Sequence, residues 1–144
     1  MVTEFEKKVA NEYNLRFIKY GAQPKSSLWF SDKRQTSRFD LIIKCIKRNQ
    51  SSRYFSINDI GCGYGGLLKG LQNNFSDNMF SYSGYDLAKS PIVYCKGRYS
   101  KKGVQFHCSG IPKEMADYNV MSGTFNYAPD INLRAWKDYL FLSL

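Results

Sequence analysis

Asp59-Ile60-Gly61-Cys62-Gly63-Tyr64-Gly65 is the stretch that decides how this chain folds. Before it runs Tyr54 to Ile60, short and rich in apolar residues, which suits a buried strand ending at the glycines. After it, Leu67, Leu68, Leu71 and Phe75 repeat at helical spacing. Alternate glycines at a strand end let the backbone turn tightly and approach a ligand with no Cβ in the way. The helix that follows aims free N–H groups at that ligand. Asp59 adds an acceptor suited to an amine-bearing or cationic group. Together these features predict a ligand cradle at a βα turn.

The same pattern continues outward. Asn73 to Asn78 reads as a turn, Met79 to Tyr85 as a second strand ending at Asp86, and Val104 to Cys108 as a third. A fourth spans Tyr118 to Met121. Between the second and third, a helix is expected to begin at Ser90 with Pro91 in its first position. Upstream, residues 21–37 read as irregular. Ser37 is expected to cap a helix whose apolar stripe is Phe39, Ile42, Ile43 and Ile46. Residues 132–142 read as a last helix with Leu133, Trp136, Leu140 and Tyr139 on its apolar face. Strands alternating with helices predict an α/β fold with a parallel sheet covered on both faces, its ligand edge at the strand C-termini. Residues 1–53 form a helical lead-in and 54–144 the ligand-binding domain.

Two cofactor readings fit the loop. Gly61, Gly63 and Gly66 satisfy the dinucleotide fingerprint G-x-G-x-x-G, and Asp86 lies 21 residues after Gly65, near the position of a ribose-binding acid. Asp59 separates the readings, because it sets a negative charge beside a pyrophosphate but suits a ligand that carries an ammonium.

The chain resembles the class I S-adenosylmethionine (SAM)-dependent methyltransferases over most of its length. Asp59 to Gly65 matches their first motif, D-x-G-x-G-x-G, and Gly84-Tyr85-Asp86 matches the second. Phe106-His107-Cys108-Ser109-Gly110-Ile111 falls at the third, where the usual acid is absent and Ser109 stands in its place. Asp117 to Asn126 resembles the fourth strand and the loop after it; the segment around Tyr20-Gly21, Trp29-Phe30 and Arg38-Phe39 resembles the upstream part of one branch. The resemblance implies a Rossmann-like methyltransferase fold and SAM as cofactor. It implies cofactor contacts at Asp59, Gly61, Cys62, Gly63, Gly65, Asp86, Leu87, Ser109, Gly110 and Ser122. It places Asn126 and Tyr127 near the substrate and assigns no catalytic residue. The loop after the fourth strand lacks the Pro-Pro of enzymes that methylate exocyclic base amines. That argues against adenine or cytosine amino groups as acceptors and leaves other nucleic-acid targets open; the acceptor is unidentified, with a small molecule, sugar or lipid intermediate favoured. An inactive SAM-binding remnant and a NAD-binding domain are the alternatives.

Composition narrows the partners. The net charge is +9, and residues 1–53 hold 12 Lys/Arg against 5 Asp/Glu. Lys89, Lys96, Arg98, Lys101 and Lys102 form a run with no acid among them. This basic surface leaves nucleic acid open as a partner. Four cysteines without C-x-x-C spacing and a single histidine, His107, argue against a metal. His107 reads as a packed strand residue and Cys62 as a small residue that fits its loop. The start lacks the apolar region of a signal peptide, and no stretch reaches the roughly 18 apolar residues of a membrane span. A cytoplasmic protein is expected. The family sheet has seven strands, ordered 3-2-1-4-5-7-6, and only four are found here. The chain thus reads as truncated after the fourth strand. Self-association, or pairing with a missing C-terminal half, is expected from the open edge.

Overall fold

The computed structural model describes residues 3–50, 53–125, 127 and 133–143, the side chains of 142 and 143 excepted. At its centre lies a four-stranded, all-parallel sheet in the order β3-β2-β1-β4. The strands are β1 (Phe55–Ile60), β2 (Phe80–Asp86), β3 (Val104–Cys108) and β4 (Tyr118–Val120). Helices α1 (Glu4–Tyr20), α2 (Asp32–Asn49), α3 (Gly66–Asn74), α4 (Lys89–Arg98) and α5 (Leu133–Ser143) flank it. β1 is buried along nearly its whole length, as a central parallel strand covered on both faces must be. Ile43 and Ile46 of α2, Leu67, Leu68 and Leu71 of α3, and Phe55, Ile57, Phe80, Tyr82 and Phe106 of the sheet share one core.

The sheet order places the C-terminal ends of β1 and β4, between which the order of strand addition reverses, next to each other. Ligands of open α/β sheets bind at that point. Register fixes which residues meet there: Asp59 pairs with Gly84 of β2 and with Val120 of β4.

Helix starts differ from the sequence expectation in instructive ways. α2 begins at Asp32, not after Ser37, because the Ser31 side chain accepts from the Arg34 N–H and ends the irregular stretch six residues earlier. α4 begins at Lys89, so Pro91 is its third residue and not its first. The position costs no hydrogen bond, since the first four helical N–H groups have no intrahelical partner. In α5 the apolar face is centred on Tyr139, with Ala135 and Trp136 beside it, while Leu133 is exposed. The face is rotated toward α1, which packs on α5 through Phe5 and Tyr139 (ring centroids 5.3 Å apart).

α1 lies within the helical lead-in expected over residues 1–53. It is fixed by a capping box: the Thr3 side chain accepts from the Glu6 N–H, and Glu6 Oε2 accepts from the Thr3 N–H at 2.7 Å. Phe5, Val9 and Tyr13, four residues apart, then form one stripe. No helix among the described residues is long and apolar enough to cross a membrane. Among the described residues no group of three or more His, Cys, Asp or Glu side chains could hold a metal.

Candidate functional site

The glycine loop after β1 closes on itself and on β2. The Gly61 and Cys62 N–H groups both donate to the Tyr85 carbonyl, and Gly65 N–H donates to the Cys62 carbonyl. Gly61 has φ +81, and a Cβ there would stand 2.7 Å from Thr124 Oγ1. That hydroxyl donates to the Ile60 carbonyl, so Thr124 lies across the loop. Only glycine satisfies both the dihedral and the space.

Above this loop lies a cleft at the C-terminal edge of the sheet, where open α/β sheets bind their ligands. Its floor is Asp59, Ile60, Gly61, Cys62 and Gly63, and Asp86, Leu87 and Gly110 close the β2–β3 side. Ser122, Gly123 and Thr124 come from the loop after β4. The remaining wall was not foreseen as cofactor site. It comprises Val9 and Tyr13 of α1, Ser27, Trp29, Gln35 and Phe39 from the lead-in, Tyr64 and Gly66 beside the glycines, and Tyr139 of α5. The α1 residues carried a signal in the capping box and the four-residue stripe; Gln35 carried none. Tyr64 donates its hydroxyl to Gln35, which ties α2 to the glycine loop. Between Ser27 and Trp29, Leu28 has φ 60, a left-handed conformation uncommon for a non-glycine residue.

Of the residues the sequence singled out, Asp59, Gly61, Cys62, Gly63, Asp86, Leu87, Gly110 and Ser122 line the cleft together. Gly65 does not. It caps α3 with φ +82, and a Cβ there would meet the Tyr99 ring. Ser109 is turned into its own loop, its hydroxyl donating to the Ile111 carbonyl and accepting from the Ile111 N–H. The Tyr127 ring packs edge-on against Tyr13, centroids 5.9 Å apart. Asn126 lies outside the described residues. His107 stacks on Tyr85 at 4.8 Å, away from the cleft. Burial lowers its pKa, with Lys113 and Lys96 adding to the effect and Glu114 opposing it.

Two carboxylates dominate the electrostatics. Asp59 is 2% exposed and accepts from the Tyr82 hydroxyl through Oδ2 at 2.6 Å. Burial pushes its pKa up to about 7; the Tyr82 hydrogen bond works against this, and the Asp86 charge adds to it. Burial also raises the Asp86 pKa, opposed by the N–H groups of Ala88 and Gly63. Those groups donate to Oδ1 at 2.8 Å and Oδ2 at 2.9 Å. Burial, and then the two carboxylates, raise the Cys62 thiol well above its usual range, so it has no thiolate character at neutral pH. No Lys, Arg or His side chain lines the cleft among the described residues. Ser122 Oγ is buried there without a hydrogen-bond partner, an acceptor and donor left for a ligand.

No family model matches the chain. Over 74 residues, half of its length, it is 38% identical to a presumed methyltransferase of Mycobacterium tuberculosis, of which it covers 43%. A cyclopropane synthase from the same organism superposes with a TM-score of 0.64 at 17% identity, over 86% of this chain and 47% of that one. A mycolic acid cyclopropane synthase solved with S-adenosylhomocysteine gives 0.67 at 15% identity, over 99% of this chain and 53% of that one. A geranyl diphosphate C-methyltransferase from Streptomyces coelicolor, also bound to S-adenosylhomocysteine, gives 0.55 at 12% identity, over 74% and 47%. The chain spans about half the length of the relatives it matches.

Proposed function

We propose that this chain, which has the Rossmann-like fold of the class I SAM-dependent methyltransferases, binds SAM in the cleft and serves methyl transfer to a small-molecule acceptor. The observation that carries the reading is the charge of the cleft, which has two carboxylates, Asp59 buried and Asp86 half-buried, and no basic side chain among the described residues. A dinucleotide would bring a pyrophosphate beside Asp59 with no Lys, Arg or His lining the cleft among the described residues to offset the repulsion, and only the α3 N-terminus to favour it. SAM brings an ammonium and a sulfonium. The cradle fits such a ligand in two further respects. The backbone approaches closely at Gly61, and the Ser122 hydroxyl has no partner of its own.

When bound, SAM supplies an electrophilic methyl group to an in-line displacement, and the protein's part is positioning. Gly61, Gly63 and their neighbours give the methionine portion a close backbone surface. Asp59 faces its ammonium. Asp86 holds the ribose hydroxyls; its carboxylate has about four acceptor positions, of which the N–H groups of Ala88 and Gly63 use two. Tyr13, Trp29, Phe39 and Tyr139 make the remaining wall aromatic, which favours an acceptor with apolar surface. The mycolic acid and geranyl diphosphate enzymes among the structural neighbours act on such molecules.

Titration calorimetry tests the assignment. S-adenosylhomocysteine is expected to bind and NAD to give no heat. Asp86→Ala is expected to weaken S-adenosylhomocysteine about tenfold or more, the loss of a hydrogen-bonding charge at the ribose. NAD binding in the absence of S-adenosylhomocysteine binding would replace this reading with the dinucleotide one. A tritiated-methyl assay over lipid, metabolite and RNA extracts then separates an active enzyme from an inactive SAM-binding protein. Incorporation into the small-molecule fraction that depends on Asp86 is the expected result.

A further inference from the structure

The cofactor reading gives no task to the hydroxyl of Tyr82, although among the described residues it is the side chain that hydrogen-bonds the buried carboxylate of Asp59. Tyr82 is 1% exposed, in the middle of β2. Register places it beside Ile57, two residues before the Asp59–Gly84 pair, so Tyr82, Gly84 and Asp59 share one face of the sheet. Gly84 lies between the other two on that face, packed so closely that a Cβ there would lie 2.8 Å from the Phe106 ring and 2.9 Å from Cys62 Sγ. The Tyr82 hydroxyl donates to Asp59 Oδ2 at 2.6 Å. Phe106 packs on the Tyr82 ring at 5.7 Å and holds it in place.

We propose that Tyr82 is a positioning residue of the cofactor site, its hydroxyl orienting the Asp59 carboxylate so that the cleft selects ligands that bring their own ammonium group. The inference rests on the SAM reading and adds a residue to it. The groups facing Asp59 are Tyr82 and Asp86 of β2, Cys62 of the glycine loop and Cys95 of α4. Tyr13 of α1 and Tyr139 of α5 face Asp86. None of these is a cation. Among the described residues no cation faces ionised Asp59, so its stabilising charge comes with the ligand, and an ammonium binding there drives off the proton that burial favours. A tyrosine hydrogen bond to one carboxylate oxygen favours the ionised form before the ligand arrives.

The test compares S-adenosylhomocysteine with 5′-methylthioadenosine, which keeps the adenosine and thioether but has no ammonium. In the wild type, calorimetry in buffers of different ionisation enthalpy is expected to show proton release on binding S-adenosylhomocysteine at pH 6, almost none at pH 8, where Asp59 is already ionised and the ligand amine still protonated, and none with methylthioadenosine at either pH. Tyr82→Phe is expected to weaken S-adenosylhomocysteine about tenfold at pH 7. It should move the pH of half-maximal affinity up by about one unit and leave methylthioadenosine unchanged. Equal losses for both ligands, or an unshifted pH profile, would reduce Tyr82 to a structural role and overturn the inference while leaving the cofactor reading intact. Failure of the wild type to bind either ligand would overturn both. Should Tyr82→Phe not fold, the wild-type proton count decides: no release with S-adenosylhomocysteine at pH 6 refutes the mechanism.

Discussion

Replacing Asp59 by asparagine is expected to stabilise the ligand-free protein at pH 8 and to remove its response to S-adenosylhomocysteine. The reasoning begins with the folded-state pKa of about 7 against an ordinary value of 3.8, caused first by burial. A raised carboxylate pKa means that the folded protein holds a proton that the unfolded chain has lost. Stability therefore falls as pH rises above about 4 and stops falling above about 7. Each pKa unit is worth about 1.4 kcal/mol, so ionised Asp59 costs the folded state about 4 kcal/mol at pH 8. Asparagine keeps an oxygen to accept from Tyr82 but adds amide hydrogens, which offset the gain by about 1–3 kcal/mol. A net gain of about 2 kcal/mol remains, a sizeable part of a typical margin of about 5–15 kcal/mol. With a urea m-value of about 1–3 kcal/mol/M, the midpoint should rise by about 1 M at pH 8. The difference between variant and wild type should shrink toward zero or reverse near pH 4. Saturating S-adenosylhomocysteine at about 100 times its Kd stabilises the wild type by about 2.7 kcal/mol and should leave the variant nearly unmoved. A variant less stable than wild type at every pH, or a gap that does not widen between pH 4 and 7, would refute the argument that burial of this charge is uncompensated.

Gly61→Ala should lose about 1–2 kcal/mol to the left-handed φ and about 1–3 kcal/mol to the clash with Thr124. In a Thr124→Ala background the second part should be partly recovered, and additive urea midpoints would show that the two residues are not in contact. Thr3→Ala, which removes the α1 capping box, should cost about 1 kcal/mol. Because α1 supplies Val9 and Tyr13 to the cleft, S-adenosylhomocysteine affinity should fall with it; unchanged affinity would detach α1 from the site. If the basic run around Lys96, Arg98 and Lys102 is a phosphate-binding surface, RNA binding there should weaken steeply with salt as counterions are released and be indifferent to Asp86→Ala. A flat salt response would mark these side chains as ordinary solvated surface. Among the described residues β4 pairs with β1 alone. Sedimentation at rising concentration should then show self-association, and a monomer throughout would count against an open edge.

The sequence by itself determined the sheet and its ligand edge. Asp59, three alternate glycines and the leucine repeat after them admit few structures other than a strand, a tight turn and a helix. The period of the apolar residues also located β3 at Val104–Cys108 to the residue. These are local signals, set by backbone dihedrals and by burial on one face of one element. Tertiary structure decided how the cleft is walled. Val9, Tyr13, Gln35, Phe39 and Tyr139 lie far apart in the chain, and their convergence depends on how α1, α2 and α5 dock, which no local pattern encodes. Tertiary structure also decided that Ser109 turns into its own loop while Gly110 faces the cleft. The Tyr82–Asp59 bond belongs to the same class. Parallel register sets Tyr82 beside Ile57, on the same face as Asp59, and Phe106 packs on its ring. Sequence supplies each of those residues. Only packing makes the buried acid depend on a hydroxyl 23 positions away.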